Sequence, residues 1–190
     1  MITVLDHKDS FTFNLVHLLE ELDKVEILDY TDVSKVHADD LGMLVFSPGP
    51  GQPADYPESL SLYHKAKGRV PILGICLGFQ LILQAEGARI MRQPRVLHGV
   101  QTRICVQTDC EAYSGIPEPI RVGRYHSLQV DPQTIPNKFN VTGWDSEQTI
   151  PLSIEQPDLH ITGFQFHPDS FLTNHGQQIL RNIFSSRVES

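Results

Sequence analysis

The sequence predicts an α/β fold: an open, mostly parallel sheet with helices on both faces and antiparallel strands added late in the chain. Two observations point there. Through the first half, apolar runs of strand length alternate with stretches of helical periodicity; after Gly87 only short strand-like pieces follow, until a closing helix. A third observation is size, since 190 residues suffice for one sizeable core, so residues 1–190 are read as a single domain.

Taken in order, Ile2 to Leu5 reads as a buried strand. Phe11, Leu15, Leu18, Leu19 and Leu22 then recur at helical spacing behind Asp9 and Ser10, which are expected to cap that helix. Val25 to Leu28 gives a second strand and Met43 to Phe46 a third, closed by the turn Ser47-Pro48-Gly49-Pro50-Gly51. A helix is expected from Glu58 to Lys67, a strand ending at Cys76, and a helix from Leu77 to about Glu86. Strands alternating with helices imply parallel βαβ units. Beyond Gly87, residues 101–107, 120–122, 127–130, 139–144, 151–155 and 161–166 are expected to add antiparallel strands. Asn174 to Phe184 carries the apolar face of a last helix at Ile179, Leu180, Ile183 and Phe184.

Composition narrows the function classes. A formal net charge of −8, with no run of lysines or arginines, argues against nucleic acid or an anionic membrane as partner. Apolar stretches are only strand-length, so no membrane span and no signal peptide are expected. Three cysteines, an odd number without zinc-ligand spacing, point to a reducing cytoplasm. The nine histidines are scattered, so no metal site is expected.

The chemistry concentrates in three places. In Gly74-Ile75-Cys76-Leu77-Gly78, a strand meets a helix through Gly-x-Cys-x-Gly, the layout of a nucleophile elbow. The flanking glycines permit the sharp bend, and the helix N-terminus under the sulfur favours a thiolate. A lone cysteine in an apolar run is equally a small buried hydrophobe, so a second element has to decide. The loop at Ser47 to Gly51 presents backbone amides on a stiff turn, suited to an oxyanion hole or simply to a tight turn. In Gln165-Phe166-His167-Pro168-Asp169-Ser170, His167 and Asp169 stand at i and i+2 in extended backbone and project to one side, as a base and its orienting carboxylate would. Ligands of open α/β sheets sit outside the carboxyl ends of the strands, where all three segments fall.

Four segments in this order, Pro48-Gly49-Pro50-Gly51, Gly74 to Gln80, Arg124-Tyr125-His126-Ser127-Leu128 and Gln165 to Ser170, resemble the motifs of class I (triad) glutamine amidotransferases over essentially the whole chain. Asp9 to Asn14, His98-Gly99 and Leu172 to Gly176 resemble, within that class, the small glutaminase subunits of anthranilate and 4-amino-4-deoxychorismate (para-aminobenzoate) synthases. The resemblance implies a flavodoxin-like sheet, Cys76 as nucleophile, His167 as base then acid, and Asp169 as the orienting carboxylate. It further implies an oxyanion hole from the amides of Leu77 and Gly49, and contacts to L-glutamine at Gly49, Gly51, Gln80, Ser127 and Leu128. No cofactor is implied, and the partner implied is a chorismate-binding synthase subunit that receives ammonia. Two departures stand out: Asp169 where the family usually has glutamate, and Phe79 where close relatives commonly carry histidine. Asp169 motivates one rival reading, a catalytically impaired regulatory or binding subunit; a stand-alone cysteine hydrolase on a similar elbow is the other.

Overall fold

A computed structural model describes residues 1–94, 96–107 and 109–185, with Ser34 and Lys35 described only in their backbone. The first half follows the expected alternation: β1 (Ile2–Asp6), α1 (Thr12–Glu20), β2 (Val25–Asp29), β3 (Met43–Phe46), α2 (Pro57–Ala66), β4 (Ile72–Ile75) and α3 (Leu77–Ala85). The second half supplies β5 (Ile90–Arg92), β6 (Val100–Val106), β7 (Arg121–Arg124), β8 (Leu128–Val130), β9 (Asn140–Asp145), β10 (Pro151–Gln156), β11 (Ile161–Phe164) and α4 (Gly176–Ser185).

Nine strands form one sheet in the order β2-β1-β3-β4-β11-β10-β9-β6-β7. From β2 to β11 the neighbours run parallel; from β11 to β7 they run antiparallel. The parallel block has the 2-1-3-4-5 order of flavodoxin-like sheets. Strands β10 and β11 lie between β4 and β9, both of which precede them in sequence.

Alternation along the strands explains why helices cover both faces. Ile2, Val4, Met43, Val45, Leu73 and Ile75 point into a core shared with Leu15, Val16 and Leu19 of α1 and Ile179, Leu180 and Ile183 of α4. Leu5, Leu44, Phe46 and Ile72 point the other way, onto Leu62, Tyr63 and Ala66 of α2 and the nearly all-buried α3. Burial on two faces is why these strands read as continuous apolar runs.

The structure corrects three expectations. Strand β11 is antiparallel on one side only: it turns back on β10 and on its other side pairs parallel to β4, Gly163 beside Gly74, because the β10–β11 hairpin returns the chain to the central position. Strand β8 does not join the main sheet but pairs with β5, which carries too short and mixed a run to read as a strand, in a separate two-stranded ribbon. Asp9 and Ser10 do not cap α1: the first residue outside the helix is Phe11, without a side-chain cap, and the Asp9 carboxylate accepts from the Phe11 amide at 2.8 Å. Among the described residues, no helix is long and apolar enough to cross a membrane.

Candidate active site

Strand β4 ends at Ile75 and α3 begins at Leu77, so Cys76 makes the whole turn alone, at φ 53 and ψ −97. Positive φ in a non-glycine residue is strained, and strain of this kind gathers at functional sites. The Cys76 amide donates to Phe164 O of β11 at 2.8 Å, which fixes the elbow against the strand that leads to His167. A Cβ on Gly78 would stand 2.2 Å from Phe46 O, so only glycine lets α3 lie this close to β3.

The loop after β3 is built just as tightly. Buried His7 donates its amide to Ser47 Oγ at 2.9 Å, and Ser47 Oγ donates to Pro48 O at 2.7 Å. The network assigns the His7 ring: Nδ1–H donates to Ser47 Oγ (3.2 Å) and Nε2 accepts from Ser59 Oγ (3.0 Å). Burial drives its pKa down to about 4, against the raising influence of Asp6 and Ser47. A Cβ on Gly49 would stand 2.4 Å from Leu77 Cδ2 and 2.6 Å from His7 Cβ, so the loop presses its backbone directly on the start of α3.

His167 follows β11, and its amide donates to Gly123 O of β7 at 3.0 Å. Its side chain is 2% exposed and Nδ1 lies 3.7 Å from Asp169 Oδ1, an ion-pair distance beyond the reach of an ordinary N–H···O bond. Burial alone would lower the imidazole's pKa; attraction to Cys76 and to Asp169 reverses that and raises it to about 10. The two groups expected to meet therefore do, at adjacent parallel strands: the imidazole is held in the electrostatic reach of the Cys76 sulfur.

A hollow of about 210 Å³ opens beside the elbow, lined by Asp9, Gly49, Pro50, Gly51, Cys76, Leu77, Gln80, Tyr125, His126, Ser127 and Leu128. Its volume falls below the ~300–1,000 Å³ of drug-sized clefts and suits a small polar metabolite. Every residue expected to touch a substrate, Gly49, Gly51, Leu77, Gln80, Ser127 and Leu128, lies on it. A larger hollow of about 300 Å³, lined by Glu111, Glu155 and His160 among others, lies at the start of β11 and so at the opposite edge of the sheet from Cys76.

Behind the hollow runs a buried polar network that joins the expected Gln80 and Leu128 to Gln93, Arg124, His126 and Gln165, to which sequence reasoning gave no role. Gln165 Nε2 lies 3.7 Å from Cys76 Sγ, and Gln80 Nε2 donates to Gln165 Oε1 (3.0 Å) and Leu128 O (3.2 Å). His126 donates from Nδ1 to Leu128 O (2.7 Å) and accepts at Nε2 from Arg124 Nε (3.1 Å), while Arg124 also donates to Gln93 Oε1 (3.1 Å). Burial, with the Arg124 charge beside it, pushes the His126 pKa down to about 3; burial likewise lowers Arg124 to about 10. Signals were present: Arg124-Tyr125-His126 precedes Ser127-Leu128, and Gln165 stands at i−2 from His167 in the expected strand 161–166. Phe11 and Tyr125, whose rings pack on the His167 imidazole, were also missed as site residues.

Comparison with known proteins bears on what such a site does. The glutamine amidotransferase class-I family profile matches residues 3–186. The chain is 36% identical over 189 residues to the aminodeoxychorismate/anthranilate synthase component 2 of Bacillus subtilis (strain 168), covering 98% of this chain and 96% of that protein. It is 36% identical over 186 residues to the aminodeoxychorismate synthase component 2 of Escherichia coli (strain K12), covering 96% and 98%. The crystal structure of a glutamine amidotransferase from Thermotoga maritima superposes with a TM-score of 0.80 at 17% identity, covering 100% of this chain and 98% of that one, a likeness of fold.

Proposed function

Since the chain belongs to the class-I glutamine amidotransferase family, we propose that Cys76, His167 and Asp169 hydrolyse the side-chain amide of L-glutamine and that the ammonia passes to a chorismate-using synthase subunit. The observation that carries this reading is the strained elbow that sets Cys76 beside His167 at the rim of a small polar hollow.

The Cys76 thiolate attacks the amide carbon, and negative charge moves to the carboxamide oxygen. The backbone amides of Leu77, at the N-terminus of α3, and Gly49 receive that oxyanion, each worth on the order of 3 kcal/mol of barrier. His167 in its imidazolium form protonates the nitrogen as the C–N bond breaks, leaving a γ-glutamyl thioester and ammonia. Water deprotonated by His167 then opens the thioester to glutamate and frees Cys76. Gly51, Gln80, Ser127 and Leu128 hold the amino-acid end of the substrate in the hollow.

Ammonia released to neutral water becomes ammonium, which has no lone pair for attack, so the acceptor site has to adjoin this one. The synthase subunit supplies it and decides whether chorismate is aminated ortho or para. Exposed apolar side chains support a docking face at this edge: Phe13 in the first turn of α1, Phe171 two residues past Asp169, and Val96 beside Leu97, which donates to His126 O. The free state of Cys76, Cys105 and Cys110 supports a cytoplasmic setting.

Treating the partner-bound chain with 6-diazo-5-oxonorleucine, then supplying chorismate and glutamine to an untreated sample, tests the proposal. Label on Cys76 and an aminated chorismate product are expected. A bound chain that takes no label and forms no glutamate would instead establish the impaired subunit, the second reading favoured by the 3.7 Å gap between His167 and Asp169.

A further inference from the structure

Among the described residues, neither ring nitrogen of His167 and neither oxygen of Asp169 makes a hydrogen bond, although all four atoms are buried. The carboxylate at 3.7 Å contributes charge, but it does not fix how the imidazole is turned about its χ angles. Something else has to, because a base misplaced by about 1 Å costs on the order of 100-fold in rate.

The rings of Phe11 and Tyr125 occupy that position. Phe11 lies 4.8 Å from the imidazole centroid at 59°, Tyr125 lies 5.0 Å away at 71°, and the two touch each other at 4.7 Å and 50°. Each ring is anchored from its own element. Phe11 opens α1, its amide held by Asp9 Oδ1 (2.8 Å) and its carbonyl accepting from the Leu15 amide (3.0 Å). Tyr125 follows β7, whose Gly123 O receives the His167 amide, and its hydroxyl bonds Ser170 Oγ at 2.9 Å on the far side of the His-Pro-Asp turn.

We propose that Phe11 and Tyr125 are positioning residues, two jaws that orient the His167 imidazole toward Cys76 where the short Asp169 side chain does not. The proposal rests on Cys76 and His167 acting as nucleophile and base, and deepens that reading. The titratable groups that face the imidazole are Cys76 at the start of α3, Asp169 on its own turn, and Tyr125 and His126 from the segment after β7; the α1 jaw brings no charge of its own.

The test compares full-length wild type with Phe11→Leu, Tyr125→Leu and Tyr125→Phe in two assays: glutaminase kinetics, and the rate of Cys76 alkylation by iodoacetamide near neutral pH. Either leucine variant is expected to lose roughly 10- to 100-fold in kcat with KM within about twofold. The rate of Cys76 alkylation near neutral pH should fall severalfold as the imidazole turns away from the sulfur. Tyr125→Phe, which keeps the ring, should recover most of the kcat that Tyr125→Leu loses. An unchanged kcat in both leucine variants, a rise in KM instead, or a Tyr125→Phe as poor as Tyr125→Leu would each overturn the clamp. Should a leucine variant fail to fold by circular dichroism, Phe11→Met and Tyr125→Met carry the same comparison. Alkylation needs no glutamine, which separates the two claims. Slowed alkylation in the leucine variants of a chain whose wild type never hydrolyses glutamine overturns the glutaminase and supports the clamp; alkylation at the wild-type rate in an active enzyme overturns the clamp alone.

Discussion

At Asp169 the carboxylate acts across 3.7 Å as a charge rather than as a hydrogen-bonding partner. Removing that charge withdraws part of what stabilises the imidazolium, so Asp169→Ala should lower kcat about tenfold. Asp169→Glu should stay within about threefold of wild type in rate and cost about 1–3 kcal/mol of stability, because its extra methylene enters a fully buried site. Equal glutaminase rates for all three would take Asp169 out of the proposed triad. Cys76 allows a sharper test of strain. Replacing alanine by glycine normally costs a chain about 0.5–1 kcal/mol. At φ 53 the order should invert, with Cys76→Gly melting above Cys76→Ala, since only glycine relaxes there. Matching melting temperatures would show that the elbow stores no strain.

The junction of β1 with the loop after β3 carries a pH dependence of its own. His7 is neutral when folded, with its pKa lowered from 6.5 to about 4, so its contribution to stability is present above pH 6.5 and lost as pH falls toward 4. His126, lowered to about 3, acts in the same sense; His167, raised to about 10, contributes below pH 6.5 and loses that contribution as pH climbs to 10. For His7 the acid loss is on the order of 3 kcal/mol by pH 4. Thermal melts of wild type and His7→Asn between pH 7 and 4.5 should show a lower starting stability but a shallower decline in the variant; parallel declines would clear His7 of the role. The same junction shows what the sequence made legible. Pro-Gly-Pro-Gly, Gly-x-Cys-x-Gly and His-Pro-Asp located the three loops because tight turns demand particular residues. Partners over distance left no such mark: Leu128 to Val130 has strand character but nothing in it selects β5 over the main sheet, and Phe11 reads as one more apolar residue of a helix until Tyr125 and His167 close on it.

On the scale of the whole molecule, the exposed apolar residues are unevenly placed. Phe171 is 90% exposed and Phe13 67% exposed, both at the carboxyl edge of the sheet, where an anchor for a partner would do most. Phe171→Ser should weaken association with the synthase subunit roughly tenfold or more while leaving the melting temperature of the isolated chain unchanged, as read by titration calorimetry and a thermal scan. Undiminished affinity would move the interface elsewhere. The insertion of β10 and β11 between β4 and β9 has another consequence, one of timing. A nascent chain on the ribosome holds β4 and β9 with bare flanks until residues 151–164 are made, and bare flanks invite neighbouring polypeptides. A fragment of residues 1–150 should accordingly precipitate or stay bound to a holding chaperone, whereas a soluble monomeric fragment would contradict this. The same late strands bring His167, so the proposed nucleophile lacks its proposed base throughout the interval in which misassembly threatens most.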